Sequence, residues 1–306
     1  MTAMKLPCVI VLAGLASLTS AGALDPNAAL LAAAKKGDFS AAEKWIGQGA
    51  AVDARDESGW TPLIFAAQRG DFAMVKLLVS KGADVNAQTT TTIGSRVLAF
   101  STEGRDLKLM EFLLDHGARI NDRGRNGTTA LYQAATQAQE DVVRFLLEKG
   151  ADPNQLALRN ERGNVFTPVF GAALNGHLKI TELLLDKGGR LERRNNRGNT
   201  VLMEAARVPY PEVIRLLIAR GANVNATGPQ GHTAFIFAAY NGQVEAIKLL
   251  LAAGADPRAQ ATDAVYPNDG WTYGAEKLAR QQGHPEALAL ILEAQKRAGR
   301  PAKPEQ

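Results

Sequence analysis

The sequence predicts an all-α solenoid of about eight stacked helix pairs, and three observations carry that prediction. A glycine recurs one turn past a leucine-rich stretch, at Gly49, Gly82, Gly117, Gly150, Gly188, Gly221 and Gly254, with spacings of 33, 35, 33, 38, 33 and 33 residues. A fixed period of this size marks a repeat architecture. The stretch Thr61 to Ala87, TPLIFAAQRGDFAMVKLLVSKGADVNA, reads as two short antiparallel helices and an outgoing loop. One such pair is too small to bury its own apolar face, so it needs a neighbour on each side, and the chain supplies one.

Within that stretch each residue type has a local reason. Thr61 places a side-chain oxygen to cap the first helix, and Pro62 sits where its missing N–H costs nothing. Leu63, Ala66 and Ala67 make a small apolar face, with Ala allowing close approach between helices. Gly70 punctuates the turn. Met74, Val75, Leu77 and Leu78 fall at helical spacing on the second helix. Gly82 ends it where a left-handed residue is wanted.

Taken in order, Met1 to Ala23 comes first and stands apart. It carries one Lys (Lys5), an apolar run from Leu6 to Leu18, then Ala21-Gly22-Ala23. That is the layout of a secretory signal peptide, with cleavage expected after Ala23. The run is shorter than the roughly 20 residues of a spanning helix. Cys8 is the only cysteine, so a cleaved chain has no thiol nucleophile, no Cys-based zinc site and no disulfide to misform in an oxidising compartment. Losing Lys5 takes Lys+Arg from 35 to 34 against 31 Asp+Glu, a net of +3. That balance is too mild to imply nucleic acid.

Residues 24–297 are expected to form a single domain. Its units are 28–60, 61–95, 96–128, 129–166, 167–199, 200–232, 233–273 and 274–297, followed by a disordered tail at 298–306. Unit three is the poorest copy. Arg96-Val97-Leu98 replaces Thr-Pro-Leu, Ser101-Thr102 replaces the Ala pair, and Arg105 replaces the turn Gly; losing a cap costs about 1 kcal/mol, so this unit is expected to be the softest internal one. Thr89-Thr90-Thr91-Thr92 lengthens the second finger, and longer fingers are expected at 155–166 and 256–272. Pro211 belongs to the first turn of its helix, where Pro is tolerated.

The chain resembles the ankyrin-repeat family, whose unit is a helix pair plus a hairpin-like finger. The likeness rests on Thr61-Pro62-Leu63, Thr129-Ala130-Leu131, Thr167-Pro168-Val169, Thr200-Val201-Leu202 and Thr233-Ala234-Phe235. With them go the Gly-Ala-Asp/Asn boxes at Gly82, Gly150, Gly221 and Gly254. It covers nearly all of the chain after residue 27. The resemblance implies that His177 and His284, at matching turn positions, hydrogen-bond between units.

No constellation carries chemistry. The four histidines, His116, His177, His232 and His284, are too dispersed for a zinc site, and no Ser or Cys motif is paired with a base. No catalytic residue, metal or cofactor is expected. The resemblance further implies that partners bind the concave side, where fingers and first helices line up. Positions beside the cap Thr or after the Ala pair are expected to point outward there: Trp60, Gln68, Arg69, Arg125, Asn126, Gln137, Phe166, Asn175, Arg193, Arg194, Arg197, Asn199, Arg207, His232, Tyr240, Asn241 and Trp271. Aromatic and Arg side chains are the types enriched at interface anchors.

The finger charges add a direction. Asp53, Arg55, Asp56 and Glu57 net −2; Arg119, Asp122, Arg123 and Arg125 net +2; Arg159, Glu161 and Arg162 net +1; Arg190, Glu192, Arg193, Arg194 and Arg197 net +3; Asp256, Arg258, Asp263 and Asp269 net −2. A basic centre between acidic ends suits a partner with an acidic patch. The expectation is an exported, monomeric, non-enzymatic protein-binding module of the periplasm, acting as an immunity, inhibitor or accessory factor for another exported protein. A secreted effector is the alternative, and a hydrolase with its site in the long fingers a third reading. Nucleic acid is not expected, since the fingers lack a stacking platform.

Overall fold

The computed structural model describes residues 25–91, 94–158, 165–262 and 272–298. The proposed leader with Cys8, the finger tips at 159–164 and 263–271 (which include Trp271), and the tail beyond residue 298 lie outside them. Among the described residues sixteen α-helices form eight antiparallel pairs. They are α1 (Pro26–Lys36) with α2 (Phe39–Gly47), α3 (Pro62–Arg69) with α4 (Phe72–Ser80), and α5 (Val97–Gly104) with α6 (Leu107–Asp115). Next come α7 (Ala130–Thr136) with α8 (Glu140–Glu148), α9 (Pro168–Leu174) with α10 (Leu178–Asp186), and α11 (Val201–Ala205) with α12 (Pro211–Ala219). The last are α13 (Ala234–Tyr240) with α14 (Val244–Ala252), and α15 (Ala275–Gln281) with α16 (Pro285–Ala298).

The odd-numbered helices pack successively from α1 to α15 as an inner row, and α8, α10, α12, α14 and α16 pack successively outside them. The all-α expectation holds, with two additions inside the long fingers. β1 (Ala157–Leu158) pairs antiparallel with β2 (Val165–Phe166), and β3 (Gln260–Thr262) with β4 (Thr272–Gly274).

The helix starts follow the sequence logic. Thr61, Thr129, Thr200 and Thr233 each accept from the backbone N–H three residues on, at 3.3, 3.1, 3.4 and 3.2 Å. Thr167 does not: its buried hydroxyl oxygen has no hydrogen-bond partner among the described residues. Asp38, Asp71 and Asp106 cap the outer helices α2, α4 and α6 in the same way. In two later units the corresponding turn uses a histidine instead. His177 Nε2 donates to the Thr136 carbonyl and His284 Nε2 to that of Tyr240, both at 3.1 Å, so each ties its turn to the preceding unit. All seven period-marking glycines are left-handed, with φ between 86° and 92°.

Leu63, Ala66, Ala67, Met74, Val75 and Leu78 are fully buried in one core continuous along the stack, each large side chain contributing about 1.5–3 kcal/mol. Small residues set how near the inner helices come. A Cβ added at Gly104, at the end of α5, would lie 2.9 Å from the Cα of Gly70. Side-chain acceptors at the bases of the fingers then link unit to unit. Asp53, Asn86, Asn121, Asn154, Glu192 and Asn225 accept from the backbone N–H of Asp84, Arg119, Asp152, Arg190, Asn223 and Asp256, at 2.8–3.0 Å. Asn86, Asn154 and Asn225 also donate to the carbonyls of Gly117, Gly188 and Gly254. This ladder fixes the phase of the fingers over the inner row.

Candidate protein-binding surface

The inner helices present two registers to the open side. Counting from each N-cap, the fourth residue on is Phe65, Phe100, Gln133, Gly171, Glu204 and Phe237 in units two to seven; the seventh is Gln68, Glu103, Thr136, Leu174, Arg207 and Tyr240. With the finger tips these registers line separate notches. One, of about 470 Å³, lies between units two and four and is lined by Trp60, Thr91, Ser95, Phe100, Glu103, Thr128, Tyr132, Gln133 and Thr136. Its floor is aromatic: Trp60 stacks on Phe65 and lies tilted against Phe100, centroids 4.8 and 4.7 Å apart. Glu103 receives amide hydrogen bonds from Gln68 (2.9 Å) and Gln133 (3.4 Å), which hold its carboxylate at the rim.

A second notch, of about 670 Å³, lies between units five and seven and includes Asn195, Arg197, Asn199, Arg207, Gln230, His232 and Phe237. The Arg207 guanidinium sits 5.0 Å over the Phe237 ring, and the His232 ring stacks on the same phenyl at 5.2 Å. Glu204, only 6% exposed, accepts from the amides of Asn195 and Asn199 at 2.9 and 2.8 Å and pairs with Arg207 at 3.8 Å. A buried carboxylate is tolerable only with such partners.

These positions revise the expected anchors. Phe166 and Asn199 do not point outward: each is 4% exposed. Phe166 packs against Phe170 at 5.4 Å, since β2 turns it inward, and Asn199 is spent on Glu204. Trp60 is half-buried in its stack. Arg125 donates to the Thr90 carbonyl, and Arg194 to those of Gly198 and Thr227, so both tie finger to finger. Asn126 accepts from Thr128 within its own turn, while Asn175 and Asn241 donate to carbonyls four residues back and close the ends of α9 and α13. Arg69 reaches the Lys35 carbonyl at 3.5 Å, and Gln137 accepts from Gln139. His232, half-buried, has Nδ1 donating to the Pro229 carbonyl at 3.1 Å. Gln68, Arg197, Arg207, His232 and Tyr240 lie along the open side, Arg197 exposed and Tyr240 43% exposed.

The fourth-residue register was absent from the expected surface, as was Glu103. Its signal was readable: Leu63 recurs as an apolar residue in every copy, whereas Phe65 is followed by Phe, Gln, Gly, Glu and Phe. The position is split: Phe65, Gln133 and Phe237 are half-buried, while Phe100, Gly171 and Glu204 are buried.

Comparison with known proteins agrees with this architecture. The model for "Ankyrin repeats (3 copies)" matches residues 6–89, 29–123, 89–157, 155–228 and 210–300. The chain belongs to the ankyrin-repeat family. It is 35% identical over 114 residues to human "Ankyrin repeat and KH domain-containing protein 1", covering 37% of this chain and 4% of that protein. It is 40% identical over 83 residues to mouse "Ankyrin repeat domain-containing protein 17", covering 27% and 3%. A Caenorhabditis elegans "Transient receptor potential cation channel subfamily A member 1 homolog" is 37% identical over 99 residues, covering 32% and 8%. The chain therefore spans a small fraction of the length of these relatives. Ankyrin repeats make it a protein–protein interaction module. Among the described residues no helix is long and apolar enough to cross a membrane, and no group of three His, Cys, Asp or Glu residues is placed to hold a metal.

Proposed function

We propose that this ankyrin-repeat chain is exported and works without catalysis, gripping another protein along the open side between its inner helices and fingers. The observation that carries the reading is the register contrast: the seventh-position side chains Gln68, Glu103, Thr136, Leu174, Arg207 and Tyr240 vary from copy to copy and stay exposed or half-buried over a core of repeated Leu and Ala. A groove already held by stacking and by the finger ladder binds with little ordering cost, so a few anchors set affinity. Arg197 and Arg207 stand against the one carboxylate of Glu204 and leave the half between units five and seven with a positive excess, which favours a partner presenting acidic side chains there. Export rests on the composition of Met1 to Ala23, and the role that follows is inhibitor, immunity or accessory factor of an exported enzyme.

Two measurements test this. Expressed in a Gram-negative host with residues 1–23 in place, the protein should be recovered from the periplasm beginning at Leu24; an uncleaved cytosolic product rejects export. Crosslinking in the periplasmic fraction should give a defined adduct that Arg207→Ala with Tyr240→Ala weakens about tenfold or more, the scale of interface anchors. An adduct of unchanged yield in that variant rejects the groove.

A further inference from the structure

A separate notch of about 370 Å³ lies away from the inner helices. It is lined by Arg123 of the third finger, Asp152, Asn154, Gln155 and Leu156 of the fourth, and Arg190 and Arg193 of the fifth. None of these residues belongs to a helix, so the notch is distinct from the groove described above. Three guanidinium groups meet there against one carboxylate, that of Asp152, which already accepts from the Asn154 N–H at 2.8 Å. Asn154 is also fully engaged in the finger ladder. Arg123 and Arg190 are exposed and make no side-chain hydrogen bond or ion pair among the described residues, and the Nε of Arg193 is buried with no partner. The contrast with Arg194 is direct, because that guanidinium donates to two backbone carbonyls next door.

We propose that this notch is a second docking point, one that receives a carboxylate side chain from an acidic segment of a partner protein. Charge complementarity carries the choice. Arginine presents a planar fork matched to carboxylate, and two or three forks around one site bind bidentately where a lysine cluster would not. The occupant's other carboxylates remain at the exposed rim beside Arg123 and Arg190. The inference rests on the reading of the chain as a protein-binding module, yet it uses none of the groove residues, so each can fail alone.

The test uses the full chain without its first 23 residues and a fluorescent hexaglutamate peptide as probe, titrated by anisotropy at two salt concentrations. Hexaglutamate should bind, hexaglutamine should not, and Arg190→Gln with Arg193→Gln should weaken binding about tenfold and flatten its salt dependence. Arg215→Gln, an exposed change on the outer helix α12, should leave hexaglutamate binding within about twofold. The single variant Arg190→Gln, an exposed change, gives the same direction if the double variant loses its helical circular dichroism. Equal binding by the wild type and Arg190→Gln overturns the proposal, as does equal binding of hexaglutamine. A hexathymidine strand that binds more tightly than hexaglutamate through the same arginines also overturns it, in favour of a nucleic-acid site.

Discussion

Threonine hydroxyls at the helix starts do unequal work. Thr61 accepts from Ile64 at 3.3 Å, while the equally buried Thr167 hydroxyl accepts nothing among the described residues. Thr61→Val should therefore cost about 1 kcal/mol as a lost cap, whereas Thr167→Val removes an unsatisfied polar atom and should be neutral or stabilising. Urea denaturation of the two variants checks this, and equal losses would refute it. The Thr-Pro-Leu pattern made both caps legible, but not which of them closes. The backbone does not decide it either: Thr167, at φ −91° and ψ 167°, has the extended geometry of the threonines that do cap.

At the scale of the helix pair, unit three departs from its neighbours as its sequence implied. Arg96 stands at the N-cap of α5 without a side-chain cap bond, and Arg105 takes the left-handed turn at φ 53° where five other units place Gly and unit four places Ala138 at φ 58°. A non-glycine residue there costs about 1–2 kcal/mol. Ser101 and Thr102, in place of the Ala pair, bury their hydroxyls by donating to the carbonyls of Leu98 and Ala99. Amide hydrogen exchange should be faster through α5 and α6 than through α3–α4 or α7–α8, and Arg105→Gly should slow it; slower exchange in unit three than in its neighbours would count against this. Sequence alone hid the compensation. Arg96 donates to the Asn86 carbonyl at 2.8 Å and the Arg123 carbonyl at 3.1 Å, lacing two fingers together. A lone arginine in a motif gap gives no clue to partners reached only across the stack.

For the whole molecule, stability is a chain of neighbour terms, and the joints matter as much as the units. Asn154 supplies two of the polar links between units four and five, at 2.8 and 2.9 Å. Asn154→Ala should cost about 1–3 kcal/mol and split a single denaturation transition into two, one for each side of the joint. A single transition merely shifted in midpoint would show that the apolar interface alone couples the halves. The period and the pairing of helices were legible because glycine, threonine and leucine act locally. The ladder was partly legible, since Asn86, Asn154 and Asn225 each follow their Gly by four residues. The exposed surface was least legible, because the same residue type serves a partner or a neighbouring finger according to geometry. Arg193 and Arg194 are adjacent in sequence, and only the second is consumed.

The joint at Asn154 closes before its finger lengthens: the bond to Arg190 spans 36 positions, and the hairpin of β1 and β2 begins beyond it. Loop length is thus decoupled from helical register at this point. Foreign recognition sequences could be spliced between Leu158 and Val165 with the spine left untouched, which makes the molecule a ready chassis for engineered reach.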